Sequence, residues 1–392
     1  MNDPIALKRP TPHFKERLDR HRAGAQIVRM RVFFVCHALL LLAGMSSSPA
    51  AELFHVYAPS RSTKQLLIVE ARETANGMSL KLAKRIDLGF AAGTIVAHPE
   101  RPILYVSAPR SETDGTPGAV VTLRPDGREE RVTPIMLQHG YTYLSLDRAN
   151  RFLLGVDYFA GVVDVYPLTK SGLPGPPVVS LAEGRKFGHC ILPSPDNRFV
   201  YIPYVKENNA LYQYRFNPKT GSLTAFKPPN ANPPEGTGPR HMAYHPSLPI
   251  VYFSNEQHLG VSVYGQAKSG QLEIKQVCDA VGPDVPKEGI SSSDIVITPD
   301  GKYIFAGIRG HSREFDWVSR YRVKPNGELE LLGLTPVDRI PWGFAFSPDA
   351  RYLLVTAFKG ETLTAFKIGS DGGLAKEAIL AWDKQISDLV TR

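Results

Sequence analysis

Beyond residue 52, hydrophobic and polar positions alternate in short runs broken by proline, glycine and asparagine. Alternation at period two over about four to eight residues predicts half-buried strands, and continuous apolar runs of that length predict fully buried ones. The stretch 236–256, GTGPRHMAYHPSLPIVYFSNE, shows both patterns. Met242–Tyr244 alternate, Ile250–Phe253 is wholly apolar, and Pro246 and Pro249 frame the turn between them. A missing backbone N–H costs little in such a turn. Folding this hairpin about Leu248 predicts Arg240 opposite Glu256, a cation and an anion at one end of one hairpin.

The same phrase occurs six times, beginning at Gly93, Thr142, His189, Arg240, Ser293 and Trp342. Its turn residues, Pro99, Arg148, Pro195, Pro246, Pro299 and Pro348, are spaced 49, 47, 51, 53 and 49 residues apart. A further strand and a Gly-containing turn, such as KTGSL or PNGELEL, follow the phrases, so each unit holds about four strands. Four-stranded units at this period signal propeller blades. The i, i+3, i+4 apolar spacing of a helical solenoid is not found. Before the first phrase come three strands without an inner partner, in LFHVYAP, KQLLIVEA and LKLAKRIDL. The chain ends on Ser387-Asp388-Leu389-Val390, which resembles Ser293-Asp294-Ile295-Val296. The prediction is an all-β, seven-bladed β-propeller over residues 52–392. Its last blade is closed by the N-terminal strands plus the C-terminal strand, which removes open sheet edges.

Composition changes this picture mainly at the N-terminus. The formal net charge of the 392 residues is +8, but residues 1–51 carry eight Lys/Arg and only three acids. The rest holds 38 basic and 35 acidic residues, a near balance that excludes a global nucleic-acid or membrane charge pattern. Residues 1–51 read as a leader with a signal peptide: Arg29 and Arg31 precede an apolar h-region at about 32–44, and small residues follow at Ser48–Ala51. Cleavage there predicts an exported, periplasmic or extracellular protein with no membrane association afterwards, and a cytoplasmic one if the leader is not processed. The polar, basic stretch before Met30 leaves open whether translation starts at Met1 or Met30. A buried N-terminal strand or helix is the structural alternative. Of three cysteines, Cys36 falls in the leader, and Cys190 and Cys278 form neither a disulfide framework nor a zinc pattern. Cys190 reads as a small buried residue.

Numbering each phrase from its turn places the first residue of the inner strand and the last residue of the next one on a shared rim. The predicted pairs are Gly93/Pro109, Thr142/Tyr158, His189/Val205, Arg240/Glu256, Ser293/Arg309 and Trp342/Phe358. Polar chemistry is lopsided, because His189, Arg240, Glu256 and Arg309 fall on three consecutive blades. A base, an acid and two guanidinium groups on one rim suit binding of an anionic ligand and proton transfer. Trp342, Phe358 and Tyr158 would wall the cavity. The structural alternative is a cross-strand ion pair between Arg240 and Glu256, worth about 0.2–1 kcal/mol, with a structural His189 and a solvated Arg309. His98, His245 and His258 read as structural. His241, one residue off the rim phase, is expected to point away from the channel. No metal or other cofactor is required by these residues.

Gly188-His189, Gly238-Pro239-Arg240-His241-Met242, Asn255-Glu256 and the Ser/Thr-Pro-Asp-x-Arg/Lys-Tyr phrases resemble the lactonase-family seven-bladed propellers. That family includes the propeller-type 6-phosphogluconolactonase and the fungal carboxy-muconate cycloisomerase. The resemblance implies His189 and Glu256 as a proton-transfer pair and Arg240 and Arg309 as ligands of the substrate's anionic groups. It implies hydrolysis of a sugar-acid or other small acidic lactone by general acid–base catalysis. The alternatives are a muconate-type lactonising cycloisomerase and a non-catalytic exported binding module; oligomeric state stays open. Many relatives carry Pro-Arg-Gly-Phe where this chain has Pro341-Trp342-Gly343-Phe344, so an indole replaces one cation. Thr142-Tyr143 stands where relatives often have a histidine. Both departures argue against phosphate recognition.

Overall fold

In the computed structural model, the alternating runs pair into seven four-stranded antiparallel sheets. The residues described are 53–392 apart from 76, 111–115, 183, 286–288, 312–315 and 384. The leader, its h-region and the choice between Met1 and Met30 lie outside them. Blades one to six occupy residues 94–137, 143–182, 192–230, 239–278, 291–337 and 341–381. Blade seven combines Leu53–Ser60, Gln65–Thr74 and Gly77–Asp87 with the C-terminal Val390–Thr391 as its inner strand. Val56 pairs with Thr391 and Tyr57 with Val390, and His55 and Arg392 exchange backbone bonds of 2.7 and 3.0 Å. The ring therefore closes through the two ends of the propeller, as the repeat count predicts. No helix among the described residues is long and apolar enough to cross a membrane.

The core lies between blades. Seven clusters of buried apolar side chains each join two neighbouring sheets, including blades six and seven and blades seven and one. Sheet faces buried on both sides explain the continuous apolar runs, such as Ile250–Phe253 in a strand whose every residue is buried.

The recurring turn is held by one device. Ser194, Thr298 and Ser347 each donate a hydroxyl to the Asp two residues on, at 2.6, 2.6 and 2.5 Å. Each hydroxyl also accepts the N–H of the first outgoing strand residue, at 3.0 Å in all three. His98 and His245 fill the same position with imidazole: Nδ1 of His245 accepts the N–H groups of Ser247 and Leu248 at 3.1 and 2.9 Å. Nδ1 of His98 accepts those of Glu100 and Arg101 at 3.2 and 3.1 Å. Both histidines are thus turn caps, as their positions predict.

The rim pairs need correction. None is a ladder pair: Thr94 faces Ser107, Tyr143 faces Val156, Pro239 faces Asn255, Ser291 faces Arg309 and Pro341 faces Ala357, while Gly188 bridges Tyr204. Near the turns the register is one residue tighter than predicted. In blades four, five and six an irregularity then inserts one extra residue near the channel end of the inner strand.

Candidate active site

That irregularity builds the site. In blade four Pro239 pairs with Asn255 and Met242 with Phe253, so Arg240 and His241 together oppose Ser254. Such a bulge re-aims side chains that a regular strand would send to opposite faces. Ser254 stabilises it, since its Oγ accepts the His241 N–H at 3.2 Å and donates to the Ser293 carbonyl at 2.8 Å. The chain enters through Gly238, at φ 58°, where an added Cβ would lie 1.5 Å from Gln257 Oε1. Contrary to the period-two expectation, His241 faces the channel cavity. Glu256 sits just past its strand end rather than opposite Arg240 in the ladder.

The cavity encloses about 790 Å³ at the channel mouth and is lined by Tyr158, His189, His241, Glu256, Arg309 and Trp342 among others. Arg240 lies directly behind this wall, fully buried. Its Nε is 3.1 Å from Glu256 Oε2, and Arg309 Nη2 is 3.7 Å from the same oxygen. Trp342 carries both guanidinium groups over its indole, 5.6 Å from Arg240 and 4.9 Å from Arg309, and packs on Phe358 at 4.7 Å. The structure thus brings His189, Arg240, Glu256, Arg309, Trp342 and Tyr158 together.

Charge does not balance within this group. Two guanidinium groups share one carboxylate, and none of the three Arg240 guanidinium nitrogens makes an aligned hydrogen bond. The contact with Glu256 is therefore mainly Coulombic. Arg309 has one bond, to the Ser292 carbonyl at 2.6 Å. Burial, followed by the Arg240 charge, pushes the Arg309 guanidinium down to about 9. Burial also lowers Arg240, against the opposing pull of Glu256. Such a centre favours an additional anion.

His189 is buried beside these cations. Burial, then Arg240 and His241, holds its imidazole well below the usual range, so it is neutral near pH 7. It meets Tyr158 edge-on at 5.5 Å and His241 at 5.0 Å, with His241 Nε2 3.2 Å from its Nδ1. His241, lowered by burial and by Arg240, places Nδ1 2.8 Å from Asp294 Oδ1. Asp294 in turn accepts the N–H groups of Ile295 and of Phe344 in the next blade, both at 2.9 Å.

On the far wall, Asp388 repeats the Asp294 arrangement. It accepts the N–H groups of Ile95 and Leu389 at 2.9 Å each and the Thr94 hydroxyl at 3.0 Å. Burial pushes its carboxyl up to about 7; the Ile95, Thr94 and Leu389 bonds oppose this only in part, and the Asp294 charge adds to it. No histidine stands beside it. The residue equivalent to His241 is Gly343, where a Cβ would lie 2.9 Å from the Ser387 carbonyl. Cys190 is fully buried, and burial raises its thiol, which excludes a thiolate nucleophile there. Among the described residues no cluster of three or more His, Cys, Asp or Glu is arranged to hold a metal ion.

His241, Asp294 and Asp388 are members of the site that the rim register misses. A signal for the carboxylates was present in the two Ser-Asp-Ile/Leu-Val phrases. It reads as strand repetition until the structure shows each aspartate tying one blade to the next. For His241 no local signal exists, because its direction depends on the bulge.

A family model described as "Lactonase, 7-bladed beta-propeller" matches residues 57–379. The 6-phosphogluconolactonase of Cronobacter sakazakii is 30% identical over 305 residues, covering 76% of this chain and 87% of that protein. The 6-phosphogluconolactonase of Klebsiella pneumoniae subsp. pneumoniae is 28% identical over 338 residues, covering 82% and 93%. Among solved structures, the periplasmic gluconolactonase of Pseudomonas aeruginosa superposes with a TM-score of 0.76 at 22% identity, over 87% of this chain and 99% of that one. At that identity the likeness is one of fold. With the seven sheets already counted and the family model spanning most of them, the chain belongs to the seven-bladed β-propeller lactonase family.

Proposed function

We propose that this protein hydrolyses a small anionic lactone, a sugar-acid lactone being the class that its relatives' names favour. The observation that carries the reading is the buried Arg240–Arg309 pair, under-neutralised by Glu256, with Arg309 and a neutral imidazole lining one cavity and Arg240 directly behind its wall. Water adds to the lactone carbonyl while His189 or Glu256 takes its proton. The ring C–O bond then breaks, and the proton ends on the leaving alkoxide, giving the hydroxy acid. Arg309 holds the substrate's anionic group and stabilises the oxyanion, with the charge of Arg240 behind it adding to the attraction. Tyr158 and Trp342 wall the ring. The indole in place of a third cation favours an unphosphorylated acid over a phosphate ester. No cofactor enters this scheme. The leader pattern supports export by a cleaved signal peptide, which N-terminal sequencing of the secreted protein checks.

The test is a pH-stat panel of gluconolactone, 6-phosphogluconolactone and muconolactone-type substrates. Wild type is expected to release acid from at least one, and His189→Gln and Glu256→Gln to lose about 10²–10⁴ in rate while staying folded. A folded wild type that opens no lactone favours the binding-module alternative. Lactonisation of a muconate with no hydrolysis favours the cycloisomerase. Unchanged turnover in both variants refutes the residue assignment.

A further inference from the structure

Asp294, His241 and His189 form a file of three side chains drawn from blades five, four and three. Two contacts join them: Asp294 Oδ1 to His241 Nδ1 at 2.8 Å, and His241 Nε2 to His189 Nδ1 at 3.2 Å. Two backbone N–H groups already donate to Asp294, one to each carboxyl oxygen. Its charge and its hydrogen bond both favour a proton on His241, so the proton of the first contact sits on His241 Nδ1. A neutral imidazole has one N–H and one lone pair, so His241 Nε2 is an acceptor. The proton of the second contact then belongs to His189 Nδ1. That leaves the lone pair of His189 on Nε2, and His189 lines the cavity.

Other groups keep the file in this state. Arg240 opposes a second proton on either ring, and Arg309 adds to this at His189. Tyr143 packs edge-on against His241 at 5.1 Å and 77°, and Tyr158 does so against His189 at 5.5 Å and 78°. The two imidazoles therefore have little freedom to flip.

We infer that His241 and Asp294 are positioning residues that fix His189 as its Nδ1–H tautomer, so that Nε2 is the base that receives the proton of the attacking water. The reaction in this statement rests on the hydrolase reading, whereas the tautomer does not. As water adds, its O–H bond breaks, the O–C bond forms and the proton moves to His189 Nε2. When the ring C–O bond breaks, the same proton passes to the alkoxide. While His189 is charged, its Nδ1–H bond to His241 becomes charge-assisted and shortens. Glu256, a carboxylate between two guanidinium groups, keeps those donors aimed at the substrate. In this scheme His241 and Asp294 act through His189 and take no proton from the attacking water.

The test is long-range ¹H–¹⁵N correlation of the histidine side chains at pH 7.5, with His189 assigned by the signal lost in His189→Gln. Wild type is expected to show protonated Nδ1 and bare Nε2 at His189. In His241→Leu the imidazole that accepts from Nδ1 is gone, and the signal is expected to move toward the Nε2–H form. In His241→Gln the amide oxygen can accept from Nδ1, and the wild-type tautomer is expected to return. On whichever lactone the enzyme opens, His241→Leu is expected to lower kcat about 10–100-fold with KM within about threefold, and His241→Gln to recover most of it. An Nε2–H tautomer at His189 in wild type overturns the inference even if no lactone is ever found. Equal loss of kcat in the Leu and Gln variants, with the wild-type tautomer kept in both, also overturns it.

Discussion

At the scale of single residues, the site is made of groups held against their own solvation preferences. Arg240 is fully buried without an aligned hydrogen bond, and the carboxylate it pairs with, Glu256, is shared with Arg309. A buried charge in that position is expected to contribute little to stability. Arg240→Met, of similar volume, is therefore expected to leave the thermal midpoint unchanged or raised while lowering kcat/KM on the lactone by at least about 10²-fold. A large fall in melting temperature in this variant would show that the guanidinium is structural. Trp342 supplies a second test. Trp342→Arg adds a third cation to the wall and is expected to shift kcat/KM toward phosphorylated over unphosphorylated lactones by about tenfold or more, as ratio measurements with matched substrates would show. An unmoved ratio would place the anion subsite elsewhere in the cavity.

At the scale of elements, the inner hairpins carry two devices, a capped turn at one end and a bulge at the other. The caps make a prediction about pH. Nδ1 of His98 and of His245 accepts two backbone N–H groups, and a protonated imidazole cannot accept there. His98, His245, His189 and His241 are all lowered from the ordinary histidine value, chiefly by burial. Below about pH 6.5 the unfolded chain therefore binds protons that the folded one refuses, and stability falls as pH drops. Asp388, raised to about 7, runs the other way: its contribution is present at low pH and is lost as pH rises through 7. Burial lowers His55 and His311 too and raises Asp157 as it does Asp388; two carboxyls do not offset six imidazoles, so chemical denaturation at pH 5.5 is expected to show lower stability than at pH 7.5. Equal or greater stability at pH 5.5 would contradict neutral caps. The hydroxyl version is tested at Ser347, whose Oγ bridges Asp349 and the Tyr352 N–H. Ser347→Ala is expected to cost about 1 kcal/mol in the same assay.

At the scale of the whole molecule, the site depends on the ring being closed. Each apolar cluster joins two blades, so opening one seam exposes two sheet faces at once. Along its first strand the seam is closed by two ladder pairs at Val390–Thr391, the His55–Arg392 bonds and a bridge from Ser60 to Ile386. Removing residues 390–392 leaves Asp388 in place and is expected to lower the unfolding midpoint and broaden the transition measured by circular dichroism. An unaltered transition would mean that the last strand is ornamental. The same geometry explains why residues from three blades share one cavity. Inner-strand ends of successive sheets converge on the axis, and Asp294 and Asp388 tie neighbouring blades there through the N–H groups of Phe344 and Ile95.

What the sequence determined by itself was whatever rests on local chemistry. Period-two runs, Pro-containing turns and a period of about fifty residues specify strands, blades and the splice of the two ends, because each signal is contained in a few neighbouring residues. Blade count then places His189, Arg240, Glu256 and Arg309 near one axis, even with the register one residue wrong. The tertiary structure alone decided how those side chains are aimed. A single inserted residue reverses the facing of everything beyond it, and Arg240-His241 has no glycine or asparagine to announce the bulge. So His241 turned inward, the Arg240–Glu256 contact formed outside the ladder, and Asp294 met an imidazole from another blade. Those outcomes depend on cross-strand and cross-blade partners 13 to 53 residues apart in the chain, and become defined when the ring brings them together.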